Sequence, residues 1–260
     1  MLPYLLIGAV AGLIVSSWQG FKDPPWEGFS TAKFLRSIGV GIVSAAILYA
    51  AASRGLLVID NLGVFAFSIV TMERMIGEGY KGFFRRGEHA EFYKLLHRIH
   101  IPAHIYPVKV AAGIGYVAGS LWLLRWLSRR YEWMTANWDS LLLPGAVIGI
   151  CGGLLVAAGG ALKDSQFEGF LPLKFVRSPI VGAFTGMLMV HFTHTPLLVV
   201  LSAIGSERVL VECYKTFVMR RVRGIFDGKP VLYPEWMRRR PVFAVSYSAA
   251  VAVCTTLLLR

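Results

Sequence analysis

Acidic and basic side chains recur in this chain as two matched sets. Asp23, Glu27 and Arg36 stand at the same spacing as Asp164, Glu168 and Arg177, and Glu73-Arg74 returns as Glu207-Arg208. Lys22 and Lys33 flank the first set as Lys163 and Lys174 flank the second. Carboxylates and cations in or beside apolar segments line pathways or relay protons, so these ten acidic and Arg positions are the candidate polar site. The four lysines have the chemistry to hold anionic lipid headgroups.

Other chemistry is less well supplied. The sequence holds no Gly-rich phosphate loop, no Ser nucleophile elbow, no His-Glu-x-x-His and no Cys-x-x-Cys. Cys151, Cys213 and Cys254 fall in or beside apolar stretches and read as small buried hydrophobes. His97/His100 and His191/His194 each have helical spacing suited to sharing a metal, but the topology below puts the two pairs on opposite membrane faces. No catalytic residue, metal or cofactor is assigned, and a non-enzyme is the stronger expectation.

The elements that must position these residues are membrane helices. Of 260 residues, 55% are hydrophobic. Eight stretches approach the roughly 20 helical residues that cross a hydrocarbon core. They lie near 3–19, 37–57, 61–80, 107–127, 141–161, 178–194, 196–214 and 241–259. The first lacks a basic flank and a small-residue cleavage pattern, so it reads as a retained span rather than a signal.

The net charge of +12 is explained by topology rather than by nucleic acid. With eight spans, 22 of the 27 Lys and Arg fall on one face and five on the other. The positive-inside tendency makes the first face cytoplasmic and puts both termini on the non-cytoplasmic side. Anionic lipid headgroups on the cytoplasmic face are the expected partners, with a homo-oligomer or a membrane complex as further options.

The chain also resembles itself. Eleven of twenty positions are identical between 22–41 and 163–182, including Lys-Asp-x-x-x-Glu-Gly-Phe-x-x-x-Lys-Phe-x-Arg-Ser. Gly8 and Gly12 correspond to Gly149 and Gly153 at the same offset. After a seven-residue contraction, Glu73-Arg74-x-x-x-Glu78-x-Tyr80-Lys81-x-Phe83 returns as Glu207-Arg208-x-x-x-Glu212-x-Tyr214-Lys215-x-Phe217. Four spans per copy bring both copies into the membrane from the same side, which predicts a pseudo-twofold axis along the membrane normal. The expected fold is therefore all-α, about eight transmembrane helices in two parallel-related repeats, 1–130 and 141–260, joined by a linker at 131–140.

Within each copy the motifs have ordinary structural readings as well. Asp23 before Pro24-Pro25 reads as the N-cap of a short interfacial helix after the first span, and Asp164 with Glu168 repeats the pattern. Ser37 and Ser178 read as caps of the next span, Asp60 as a cap of the third. Arg74, Glu78 and Lys81, like Arg208, Glu212 and Lys215, form stripes of alternating sign that suit a solvated, amphipathic cytoplasmic helix extension. If those faces turn to the axis instead, Glu73 and Glu207 become the polar core of a pathway. The leading functional expectation is a transporter or channel between the repeats. Alternatives are a non-catalytic subunit of a larger membrane complex and a lipid-headgroup-binding or lipid-modifying enzyme.

Overall fold

The computed structural model describes residues 1–80, 106–220 and 230–260, with the side chains of 106–109 and 162–168 left aside. Every regular element among these residues is helical. In chain order they are α1 (Leu2–Lys22), α2 (Pro24–Glu27), α3 (Thr31–Ser53), α4 (Leu62–Gly79), α5 (Tyr106–Asn137), α6 (Leu142–Glu168), α7 (Pro172–Met189), α8 (Pro196–Cys213) and α9 (Glu235–Leu258). Five are long and apolar enough to cross a membrane: α1, α3, α9, α5 from Val110 to Asn137 and α6 from Leu142 to Ala161. The protein is thus membrane-embedded in character. The other three long helices, α4, α7 and α8, have 18 residues each and carry charges near one end.

Local chemistry explains where the helices stop, and it corrects several sequence expectations. Pro24 and Pro25 lack the amide hydrogens that would continue α1, so the chain breaks at Asp23 and restarts as the one-turn α2. Asp23 makes no side-chain cap there; its carbonyl accepts from the amides of Trp26 and Glu27. The second copy has Ser165-Gln166 in place of the prolines, and α6 runs straight through Asp164 to Glu168. A separate short helix therefore follows the first long helix in the first half, and α6 continues unbroken at the matching place in the second. Both elbows then turn at a glycine, Gly28 at φ +73° and Gly169 at φ +71°, a region that L side chains seldom adopt.

Ser30, not Ser37, caps α3, accepting the Lys33 amide at 3.3 Å. Ser37 and Ser178 lie buried inside α3 and α7, and α7 starts instead with Pro172 in its first turn. Asn61 takes the capping role expected of Asp60, accepting from the Gly63 and Val64 amides at 2.9 and 3.0 Å. Asp60 reaches across the molecule to accept from the Thr193 hydroxyl at 2.6 Å and the His194 amide at 2.9 Å. Of the segment read as a linker, residues 131–137 continue α5, with Tyr131 and Met134 buried, and the non-helical piece is 138–141.

Glycine decides how the helices pair. α1 lies along α3, where a Cβ on Gly8 or Gly12 would meet the carbonyl oxygens of Gly41 and Ser37 at 2.7 and 2.4 Å. α6 lies along α7, where a Cβ on Gly149 or Gly153 would meet those of Gly182 and Ser178 at 1.8 and 2.3 Å. Small residues spaced by four permit such backbone contact in an apolar medium, where packing and not water exclusion holds helices together.

At the centre α4 crosses α8. Phe65, Ile69, Leu198 and Leu201 are fully buried there. The Thr71 hydroxyl donates to the Leu201 carbonyl at 2.6 Å, and a Cβ on Gly205 would lie 1.9 Å from the Phe67 carbonyl oxygen. Around this pair the last helix of each half reaches to the other half: α9 packs on α1 and α4, and α5 packs on α8 and α6. The Asn61 amide donates to the Leu258 carbonyl at 2.9 Å and the Arg240 guanidinium to that of Phe21 at 3.0 Å, which pins α9 at both ends.

Candidate functional site

The charged residues collect at one end of the bundle, where α1, α7 and α8 approach one another. Glycine contact brings α6 onto α7, and the Thr185 hydroxyl ties α7 to α8 by donating to the Ala203 carbonyl at 2.9 Å. This places Arg177 and Ser178 of α7 opposite Glu207, Arg208 and Glu212 of α8. From α1 comes Lys22, whose ammonium donates to Glu212 Oε2 at 2.5 Å. Glu212 also draws in Arg208 at 3.3 Å and Lys215 at 3.8 Å. One carboxylate is thereby shared among three cations, in side chains at most 17% exposed.

That burial overturns the reading of the second stripe as a solvated helix face. The i, i+4 spacing of Arg208 and Glu212 holds, but the face turns inward against α1. Lys215, in the π-helical turn Tyr214–Val218 beyond α8, is pushed down to about 8 by burial, which outweighs the support of Glu212.

Glu207 is completely buried on α8. Ser178 and Arg208 are its polar neighbours, and neither carboxyl oxygen completes a well-formed hydrogen bond among the described side chains. Glu73 is 3% exposed at the corresponding level of α4. Uncompensated burial of an ionised carboxylate is costly, so Glu207 in a central helix is conspicuous.

A cavity of about 40 Å³ opens beside this cluster, lined by Lys174, Arg177, Ser178, Arg208 and Lys215 together with the elbow at Gly169–Leu171. Arg177 also borders an apolar groove of about 280 Å³ between α7 and α8, lined by Val181, Phe184, Leu210, Val211 and Tyr214.

The first half is arranged differently. Glu27 and Lys33 form an exposed ion pair at 2.5 Å, outside the bundle. Arg74 pairs with Glu78 and lies 5.9 Å over the Trp18 ring. The approach to α9 covers the elbow: the Leu232 and Tyr233 amides both donate to the Pro25 carbonyl at 3.0 Å, and Phe29 stacks on Trp236 at 4.7 Å. Arg36 is half-buried on α3, and Asp23 sits at the α1–α2 break. The side chains of Lys163, Asp164 and Glu168 and the whole of Lys81, His89, His97, His100 and His104 lie outside the described residues.

Of the residues singled out from sequence, Lys22, Lys174, Arg177, Glu207 and Arg208 meet at one end, joined by Glu212 and Lys215. Those last two were visible only as members of the stripe. What could have marked them is their stretch: Val209 to Tyr214 is otherwise apolar, an odd setting for a solvated carboxylate. No family model, curated protein or solved structure matches the chain.

Proposed function

We propose that the chain is a multi-pass membrane transport protein of eight spans, built from two parallel-related units, with Glu73 and Glu207 at the core of its polar pathway. The observation that carries this reading is the buried carboxylate of Glu207, set in a central helix without a well-formed hydrogen bond and beside a cation-lined cavity. An ionisable group at that cost is kept where its charge or proton is used.

The two-unit arrangement is supported by the pattern of contacts. Gly8, Gly12, Ser37 and Gly41 touch one another as do Gly149, Gly153, Ser178 and Gly182, each 141 residues on. At the central crossing Thr71 meets Leu201 while Gly205 meets Phe67, and each residue of one pair stands 134 from its counterpart in the other. Such reciprocity is the mark of a twofold contact. With eight spans the cation-rich end is cytoplasmic and both termini are non-cytoplasmic.

Proton flux into liposomes holding the purified chain and a pH-sensitive dye tests the pathway, under an imposed membrane potential. Wild-type flux is expected above that of empty liposomes, and Glu73→Gln with Glu207→Gln is expected to bring it to background. Flux at the wild-type rate in the double variant removes those residues from the pathway.

A second reading, a non-catalytic subunit of a larger membrane complex, is favoured by the tight α4–α8 crossing, where the Gly205 and Phe67 backbones leave no room between the halves. Extraction in a mild detergent separates the two, because a subunit carries stoichiometric partners through purification.

A further inference from the structure

We infer that the end of α5 beyond Leu121 seats the bundle in a phospholipid headgroup layer, with Trp122, Trp126 and Trp133 along the border of the hydrocarbon and Arg129 and Arg130 on lipid phosphates. Four of the chain's seven tryptophans fall in this stretch, at 122, 126, 133 and 138. All four are exposed, Trp122 the most at 66%, whereas Trp18 and Trp26 are buried.

The stretch has two faces. Leu124, Leu127, Tyr131 and Met134 are buried, and their spacing of three and four residues lays one side of the helix on the bundle. Trp122, Trp126, Arg129 and Trp133 keep the same spacing on the opposite side and are exposed. Arg125 and Arg130 flank that stripe, and the Arg130 guanidinium lies 5.4 Å from the centre of the Trp126 ring. Glu132, seven residues after Arg125, stands on the Arg125 edge. Indole settles where hydrocarbon meets water, and the planar guanidinium bonds phosphate oxygens two at a time. An exposed side made of both suits the headgroup level.

The rest of the helix says that the layer is lipid rather than protein. Val110–Asn137 is apolar enough to cross a membrane, and 17% of its most apolar stretch is buried, the lowest share among the five such helices of the described residues. Its 28 residues span about 42 Å, against a hydrocarbon core of about 30 Å, so roughly two turns exceed the core. The order of exposed side chains places that excess. Ile114, Val117 and Leu121 are apolar, and from Arg125 to Trp133 each turn exposes Arg or Trp. Beyond the connection at 138–141 the exposed surface is apolar again, at Leu141, Leu142 and Leu143, as α6 starts back. The Trp and Arg turns are thus bracketed by surface suited to acyl chains on both sides.

This end lies away from the Glu212 cluster, since Gly145 near the start of α6 meets Gly186 while Gly153 meets Ser178. In the eight-span topology proposed above it is the non-cytoplasmic end, where the positive-inside tendency gives no reason for three arginines between positions 125 and 130. Headgroup phosphate gives one.

The test reads native tryptophan fluorescence of the full chain in phosphatidylcholine vesicles, with bromine placed on the acyl chain near the headgroup or near the terminal methyl. Shallow bromine is expected to quench at least about twice as strongly as deep bromine. Trp122→Phe with Trp126→Phe is expected to remove about half of the shallow quenching or more, and Trp18→Phe to leave it unchanged. When brominated phosphatidylglycerol competes with phosphatidylcholine, a preference of about threefold for the anionic lipid is expected, falling to about one in Arg129→Gln with Arg130→Gln.

Stronger quenching by deep bromine overturns the headgroup assignment. Quenching by neither overturns the lipid itself, in favour of water if iodide reaches the indoles and of a second copy if it does not. A phosphatidylglycerol preference that survives in the arginine variant removes Arg129 and Arg130 from the contact. The depth comparison is made on the wild-type chain, so it stands even if a variant does not fold. No step of it reads flux, and it holds or fails apart from the transport reading.

Discussion

Glu212→Gln is expected to lower unfolding stability by about 3–5 kcal/mol, the range for breaking a buried ion pair from one side. The wild-type carboxylate holds Lys22 at 2.5 Å, Arg208 at 3.3 Å and Lys215 at 3.8 Å, and its side chain is 9% exposed. A neutral amide leaves three cations facing one another with little water to screen them. Lys22→Met removes one cation and keeps Glu212 supplied with two, so its cost is smaller. The double variant Lys22→Met with Glu212→Gln is expected to be less destabilised than the sum of the two, the sign of direct coupling. Denaturant unfolding of the purified chain in detergent, followed by helical circular dichroism, measures all three. Additive losses would mean that the contact between α1 and α8 carries no energy.

Gly205→Ala has the second large effect. The new methyl would stand 1.9 Å from the Phe67 carbonyl oxygen and 2.9 Å from the Thr71 hydroxyl, and a helix backbone cannot rotate aside as a side chain can. Overpacking of this kind costs about 1–3 kcal/mol and more where the obstacle is rigid, so the upper end is expected. Gly39→Ala on α3 is the control, because a Cβ there meets nothing within 4 Å. Alanine in an open helical position stabilises by about 0.5–1 kcal/mol. The same unfolding measurement should therefore give opposite signs for the two variants. Equal effects would mean that α4 and α8 do not cross at this point.

The helices were legible in the sequence because length and apolarity are local properties. Each of the eight apolar stretches overlaps one long helix, but the ends shift: α5 runs on past its stretch to Asn137 and α6 to Glu168, while α3 stops at Ser53 and α7 at Met189, short of theirs. Their caps were less legible. Ser37 and Ser178 have the right residue type, but helices here begin well before the apolar run does, so both serines end inside. The proline pair at 24–25 was the decisive local signal, and its replacement by Ser165-Gln166 accounts for the lost helix break in the second half.

Long-range assembly was not written in any local pattern. Lys22 and Glu212 are 190 residues apart, and the stripe holding Glu212 looks the same on a solvated helix as on a buried one. Only the packing of α1 and α8 makes the difference. Likewise the covering of one elbow by Trp236 and Phe243 depends on α9 crossing to the first half.

The proposed pathway requires two units that enter the membrane in the same sense, and labelling of single cysteines tests this directly. In a chain with Cys151, Cys213 and Cys254 replaced by Ala, one Cys is placed at Lys33, Lys174, Arg54 or His191, and an impermeant maleimide is applied to sealed membranes from each side. Lys33→Cys and Lys174→Cys should react from one side only, and Arg54→Cys and His191→Cys from the other. Reaction of the Lys33 and Lys174 positions from opposite sides would contradict the parallel arrangement and every pairing of sites drawn from it.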